Sequence, residues 1–166
     1  MKKFLLLLAL LLPLTAAAQE GLKKVYDETL DQNAQIDDAL KTARAKGKFV
    51  VCQVGGNWCP WCLRFADFIT KDAEISKLIS DNFVYIHVDY SPRTFKGDPA
   101  RKARSESMMK RLGSPARFGF PVFVVLGPDG KVLHIQDSSF LEEGQGYSKE
   151  KVTRFLRSWT PEAVSQ

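Results

Sequence analysis

Cys59 and Cys62 stand three positions apart within Gly55-Gly56-Asn57-Trp58-Cys59-Pro60-Trp61-Cys62. Thiols at that spacing can do reversible redox chemistry if the segment is helical. Side chains at i and i+3 share a helix face, so a disulfide can close with little backbone movement. The residues just ahead, Phe49 to Val54, form an apolar run that predicts a strand, and Pro60 suits a first helical position. A strand-to-helix turn is where a thiol becomes acidic. Free N–H groups and the positive end of the helix dipole both favour thiolate over thiol.

The rest of the chain bounds what other chemistry is open. Three cysteines in 166 residues are too few to staple a small disulfide-built domain. A closed zinc site takes four ligands, and only Cys52, His87 and His134 accompany the pair. Both histidines fall in predicted strands and no second CxxC exists, so no metal and no cofactor is expected. A Cu(I)- or Zn-binding CxxC protein and a non-enzymatic binding module remain as alternative readings. Cys52, on the predicted central strand, is expected to be buried and inert.

Residues 1–18 carry the pattern of a secretory signal: Lys2 and Lys3, an apolar run from Phe4 to Leu14, then Ala16-Ala17-Ala18. The run falls short of a membrane span and is broken by Pro13, so no stable membrane insertion is expected after its removal. Residues 19–32 then form an N-terminal segment, 33–160 one domain and 161–166 a C-terminal tail. Loss of Lys2 and Lys3 takes the formal charge from +5 to +3, which gives no indication of nucleic acid. An exported chain, periplasmic or secreted, lies where disulfides persist, and a lone CxxC there is more naturally redox-active than structural.

The elements that must position the pair follow from periodicity. Asn33 suggests a helix start, with Ile36, Ala39, Leu40 and Ala43 on one face and Gly47 as the stop. A strand over 48–54 leads into a helix from Pro60 to about Thr70, and Asp72 caps another through Ile75 and Ile79. A strand spans Phe83 to Asp89, residues 91–99 form a loop, and a basic helix covers about 100–112. Gly127-Pro128-Asp129-Gly130 joins two strands, 121–126 and 131–136, as a hairpin. Ser148 opens a last amphipathic helix. The order α-β-α-α-β-α-β-β-α predicts an α/β domain, a mixed sheet with helices on both faces.

With these elements in place, the chain resembles the thioredoxin-like superfamily. The resemblance rests on the strand leading into Trp58-Cys59-Pro60-Trp61-Cys62 and on Gly119-Phe120-Pro121 opening the hairpin. It looks most like exported bacterial thioredoxin-like proteins with a Gly-Gly-Asn-Trp-Cys-x-Trp-Cys motif, whose flanks match Tyr26-Asp27 and Phe140-Leu141-Glu142-Glu143-Gly144. The resemblance implies a thioredoxin-like fold and thiol-disulfide oxidoreductase activity on protein disulfides or dithiols, with an upstream redox partner recycling the pair. It implies that Cys59 is the exposed nucleophile and Cys62 the buried resolving thiol. It makes Pro121 a cis-proline beside Cys59, and it places Trp58, Trp61 and Phe120 as substrate-binding residues.

Two departures from the family pattern stand out. Six residues before the nucleophile, where many thioredoxins carry a buried acid, this chain has Gln53, which cannot take a proton. The Pro60-Trp61 spacer is neither the Gly-Pro of reducing thioredoxins nor the histidine-containing spacer of oxidising relatives. Lack of a spacer histidine favours the reductive direction.

Two further segments bear on partners. Residues 91–117 hold eight basic residues against two acids, Asp98 and Glu106, giving either a solvated helix face or a docking surface for acidic proteins. Residues 137–147 form a long loop expected to rim the pair, with Glu142 and Glu143 at its middle.

Overall fold

The computed structural model describes residues 21–166, so the segment 1–18 assigned to a signal lies outside the described residues. Helix α1, Gln32–Lys46, buries Ile36, Ala39, Leu40 and Ala43 and ends at Gly47, whose φ of 64° is the left-handed conformation glycine adopts without a Cβ penalty. Its N-cap is Asp31 rather than Asn33. The Asp31 carboxylate accepts from the N–H groups of Asn33 and Ala34. Both residue types cap helices well, and the carboxylate two positions earlier takes the free donors.

Strand β1, Phe49–Gly55, is buried from Val50 onward and leads through the Gly56–Trp58 turn into α2, Pro60–Lys71. Asp72 both closes α2 and caps α3, Ala73–Asn82, accepting from Glu74 N–H and Ile75 N–H. Strand β2, Phe83–Asp89, follows at once. The segment expected as loop forms a 3-10 turn at Pro92–Phe95, and Asp98 then caps α4, Pro99–Arg111. Strands β3, Val122–Leu126, and β4, Val132–Asp137, make the expected hairpin.

The loop expected over 137–147 has structure of its own. It holds a 3-10 turn at Ser138–Leu141 and a two-stranded ribbon, β5 Glu142–Glu143 with β6 Gly146–Tyr147. Helix α5, Lys149–Ser158, begins after Ser148, which caps by position without a side-chain hydrogen bond, and a short α6, Pro161–Val164, ends the chain.

The main sheet has the order β2-β1-β3-β4. β1 runs parallel to β2 and antiparallel to β3, so it is a central strand, covered on both faces as its unbroken apolar run predicts. Alternation along it divides the core. Val50, Cys52 and Val54 face α1 and α4, meeting Ile36, Leu40, Met108 and Leu112. Val51 faces the other way, where Phe65, Ile69, Ile75, Val152, Phe155 and Leu156 of α2, α3 and α5 gather with Phe123. Fully burying side chains of this size contributes roughly 1.5–3 kcal/mol each. Two such layers hold the β1–α2 turn at the end of the sheet. Among the described residues no helix is long and apolar enough to cross a membrane.

Candidate active site

Cys59 is the N-cap of α2, and its Sγ accepts from the Cys62 backbone N–H at 3.2 Å. The sulfur therefore sits among the free N–H groups of the first turn, the setting that stabilises a thiolate. Cys59 and Cys62 are joined as a disulfide with their Cα atoms 5.2 Å apart. Cys62 is wholly buried. Cys59, expected to be exposed, is only 4% exposed in this oxidised form, enclosed by its neighbours. Both pack with Tyr26 and Leu63, and with the half-buried Val25, Trp61 and Phe120.

Trp58 is 44% exposed, with its indole N–H donating to Tyr90 O at 3.0 Å. Its ring meets Phe120 edge-on at 5.6 Å, and Phe120 stacks on Tyr90. The Phe120–Pro121 peptide is cis. Trp61 is edge-on to Tyr147, whose hydroxyl donates to Trp61 O, and Arg64 lies over the Trp61 ring at 5.0 Å. The 137–147 segment thus reaches the CxxC helix through Tyr147. Glu142 adds its charge to burial in pushing the Tyr147 hydroxyl upward.

Beneath the disulfide lies a polar cluster that the motif did not reveal. Gln53, wholly buried, donates through Nε2 to Tyr26 Oη at 2.7 Å and to Cys62 O at 2.9 Å, and its Oε1 accepts from the Tyr85 hydroxyl at 2.6 Å. Burial pushes both tyrosine hydroxyls well above their ordinary value, so both stay protonated. His87 stands edge-on to both rings; burial lowers it to about 4, and its Nε2 has no partner. Asp89, at the end of β2, accepts from Ser91 Oγ at 2.7 Å and lies 3.6 Å from Arg101, with burial raising its carboxyl. Pairing of Tyr26-Asp27 with the glycine-rich motif was the sequence signal that could have flagged Tyr26.

Cys52 is buried on the α1/α4 face of the sheet, away from the pair, and burial pushes its thiol up to about 12. Five of the eight basic residues of this segment have partners within the molecule. Arg101 reaches Asp89 and Glu28 O, Arg104 pairs with Asp31, Arg111 with Asp37, Lys102 with Glu106, and Arg117 donates to Gly113 O and Ser114 O. Arg101, Arg104 and Arg111 fasten α4 to α1 and to the N-terminal segment, while Arg93, Lys96, Lys102, Arg104, Lys110 and Arg117 stay exposed. Among the described residues no three His, Cys, Asp or Glu side chains form a metal-binding group.

A mixed sheet whose first strand turns into a CxxC helix, faced by a cis-proline loop, defines a thioredoxin-like fold. The chain belongs to the thioredoxin-like domain family, whose pattern residues 36–137 match. Over 56 residues, 34% of this chain, it is 34% identical to the thiol:disulfide interchange protein DsbD of Colwellia psychrerythraea, and the match spans only 9% of that much longer protein. A disulphide isomerase of Xylella fastidiosa Temecula1 superimposes with a TM-score of 0.67 at 23% identity, over 82% of this chain and 97% of that one. A thioredoxin of Thermus thermophilus gives 0.52 at 22%, over 74% and 81% of the two chains. A DsbH oxidoreductase gives 0.51 at 16%, over 87% and 91%. These structural likenesses establish the fold.

Proposed function

We propose that the protein is an exported thiol-disulfide oxidoreductase that acts in the reductive direction on protein disulfides in the periplasm or outside the cell. One observation carries this reading: Cys59 caps α2 with its sulfur on the Cys62 N–H, and Cys62 lies one turn on, close enough to close the disulfide. In the reduced protein the Cys59 thiolate attacks one sulfur of a substrate disulfide. A mixed disulfide forms and the other substrate sulfur leaves as a thiolate. The Cys62 thiolate then attacks Cys59 Sγ, closing the pair and releasing the second substrate thiolate. Two electrons pass to the substrate, and an upstream dithiol partner must return them.

Phe120, packed against the Cys59 cluster, forms with Trp58 and the cis Pro121 the surface on which an extended substrate segment lies, with Trp61 on the other flank. The 34% identity with a thiol:disulfide interchange protein supports the reaction class. The secretory pattern of residues 1–18 supports export.

Equilibration of the pair against glutathione tests the direction. A potential near about −270 mV, thioredoxin's value, is expected, whereas one near about −120 mV would make the protein an oxidant. A Cys62→Ser variant should trap protein partners through Cys59. A potential in range with no trapped partner would move the reading to a binding module.

A further inference from the structure

Exchange through Cys59 requires Cys62 to carry charge. When a reducing thiolate attacks Cys59 Sγ, the new Cys59–S–S–R bond forms as the Cys59–Cys62 bond breaks, and the electron pair leaves on Cys62 Sγ. That sulfur is wholly buried, and burial favours thiol over thiolate. Its helix position offers less than that of Cys59, the N-cap. The strand position where many relatives hold an acid is Gln53.

The hydrogen bonds of Gln53 fix the polarity of the cluster. Both Nε2 hydrogens are used, one on Tyr26 Oη and one on Cys62 O, while Oε1 accepts from Tyr85. Tyr26 Oη is therefore an acceptor toward Gln53, and its own hydrogen is free to go elsewhere. Among the described residues no acceptor takes it. Gly55 shows where it can go. A Cβ built on Gly55 would meet Cys62 Sγ at 2.4 Å and Tyr26 Oη at 3.0 Å, so sulfur and hydroxyl border the same small space above that glycine.

We propose that the Tyr26 hydroxyl is the hydrogen-bond donor that supports the Cys62 thiolate when the disulfide opens, in the role that a buried acid fills where one is present. The inference rests on the thiol-disulfide reading of the pair and deepens it. Tyr26 gives up no proton in the step; it donates a hydrogen bond to the sulfur as charge develops. The other groups facing the cluster leave it this role. His87 and Tyr85 of β2 are neutral, as is Tyr147 of β6. The Asp89 carboxylate is engaged by Ser91 and Arg101. Glu28, on the segment that carries Tyr26, is the remaining carboxylate whose field reaches Asp89.

The test reads thiol ionisation rather than turnover. In a Cys52→Ala, Cys59→Ala background Cys62 is the single thiol, and its ultraviolet thiolate absorbance is followed against pH. Adding Tyr26→Phe should raise the midpoint by about one pH unit, the expected effect of losing a hydrogen bond to a charged group. Tyr85→Phe breaks the far end of the network but leaves Tyr26 in place, and should leave the midpoint where it was. An unchanged midpoint in Tyr26→Phe, or equal shifts in both variants, overturns the proposal. If Tyr26→Phe fails to fold, NMR of the intact reduced protein decides: the Tyr26 ring signals should move with the Cys62 titration, and signals that stay flat through it overturn the proposal. A protein that reduces no protein disulfide would defeat the proposed function and leave this result standing.

Discussion

Asn57 grips the backbone of Tyr26 on both sides of its Cα. Asn57 Oδ1 accepts from Tyr26 N–H at 3.1 Å and Asn57 Nδ2 donates to Tyr26 O at 2.8 Å, with Val25 N–H also donating to Oδ1 at 3.1 Å. A side-chain amide thus pairs with an irregular segment much as a neighbouring strand would. The residue two before Cys59 thereby holds the N-terminal segment against the site and sets the Tyr26 ring under the disulfide.

Asn57→Ala should release that segment. Three half-buried hydrogen bonds are lost, each with a net worth of about 1 kcal/mol, so a loss of about 2–3 kcal/mol is expected. Hydrogen exchange at the Val25 and Tyr26 amides should accelerate far more than exchange in β1. Unchanged protection at those two amides would mean that packing of the Tyr26 ring alone holds the segment.

Gly55→Ala tests the space shared by Cys62 and Tyr26. The new methyl would lie 2.4 Å from Cys62 Sγ, closer than any real contact, so the sulfur must move. In the reduced protein the thiol can rotate away, whereas in the oxidised protein it is tied to Cys59. The oxidised form should therefore lose about 1–3 kcal/mol, an overpacking cost, and the pair should become easier to reduce. Melting of both redox forms and equilibration against glutathione check this. Equal melting losses in the two forms would show that the methyl strains the backbone turn instead.

The framework around the site was legible in the sequence because it is built from repeating patterns. The unbroken apolar run of β1, the helical spacing of Ile36, Ala39, Leu40 and Ala43, and the Gly127–Gly130 turn each follow from local chemistry. Cys59 as a cap and Pro60 in the first turn followed from the same rules. The Asn57–Tyr26 clamp did not, because it joins residues 31 positions apart through one side chain and leaves no periodic trace. Gln53 was legible as a missing acid, but not as the centre of a three-bond network. β5 and β6, two residues each, are too short for alternation to show.

Cys52 should prove dispensable for exchange. It lies on the α1/α4 face of β1, opposite Ile86 and Val124 in the sheet, with its thiol pushed up to about 12. Cys52→Ala should keep the potential and exchange rate of the pair and cost on the order of 1 kcal/mol for the small void left behind. In the oxidised native protein a thiol reagent should find no reactive group until the chain unfolds. Prompt labelling of Cys52 under native conditions would place it outside the core.

His87 should make the fold sensitive to acid. Burial lowers its pKa from 6.5 to about 4. Between those values the unfolded chain takes up a proton that the folded protein does not, so stability present above pH 6.5 is lost as pH falls toward 4. At 1.36 kcal/mol per unit the full loss is up to about 3 kcal/mol. Asp89, whose carboxyl is raised by burial, works in the opposite sense, and comparing variants at the one site separates the two. His87→Phe keeps an aromatic ring edge-on to Tyr26 and Tyr85 and removes the unpartnered Nε2. Urea unfolding of both proteins at steps from pH 7 to pH 4 should show the wild type losing ground relative to His87→Phe through this window. A constant difference between the two proteins across it would mean that His87 titrates at its ordinary value, in contact with water.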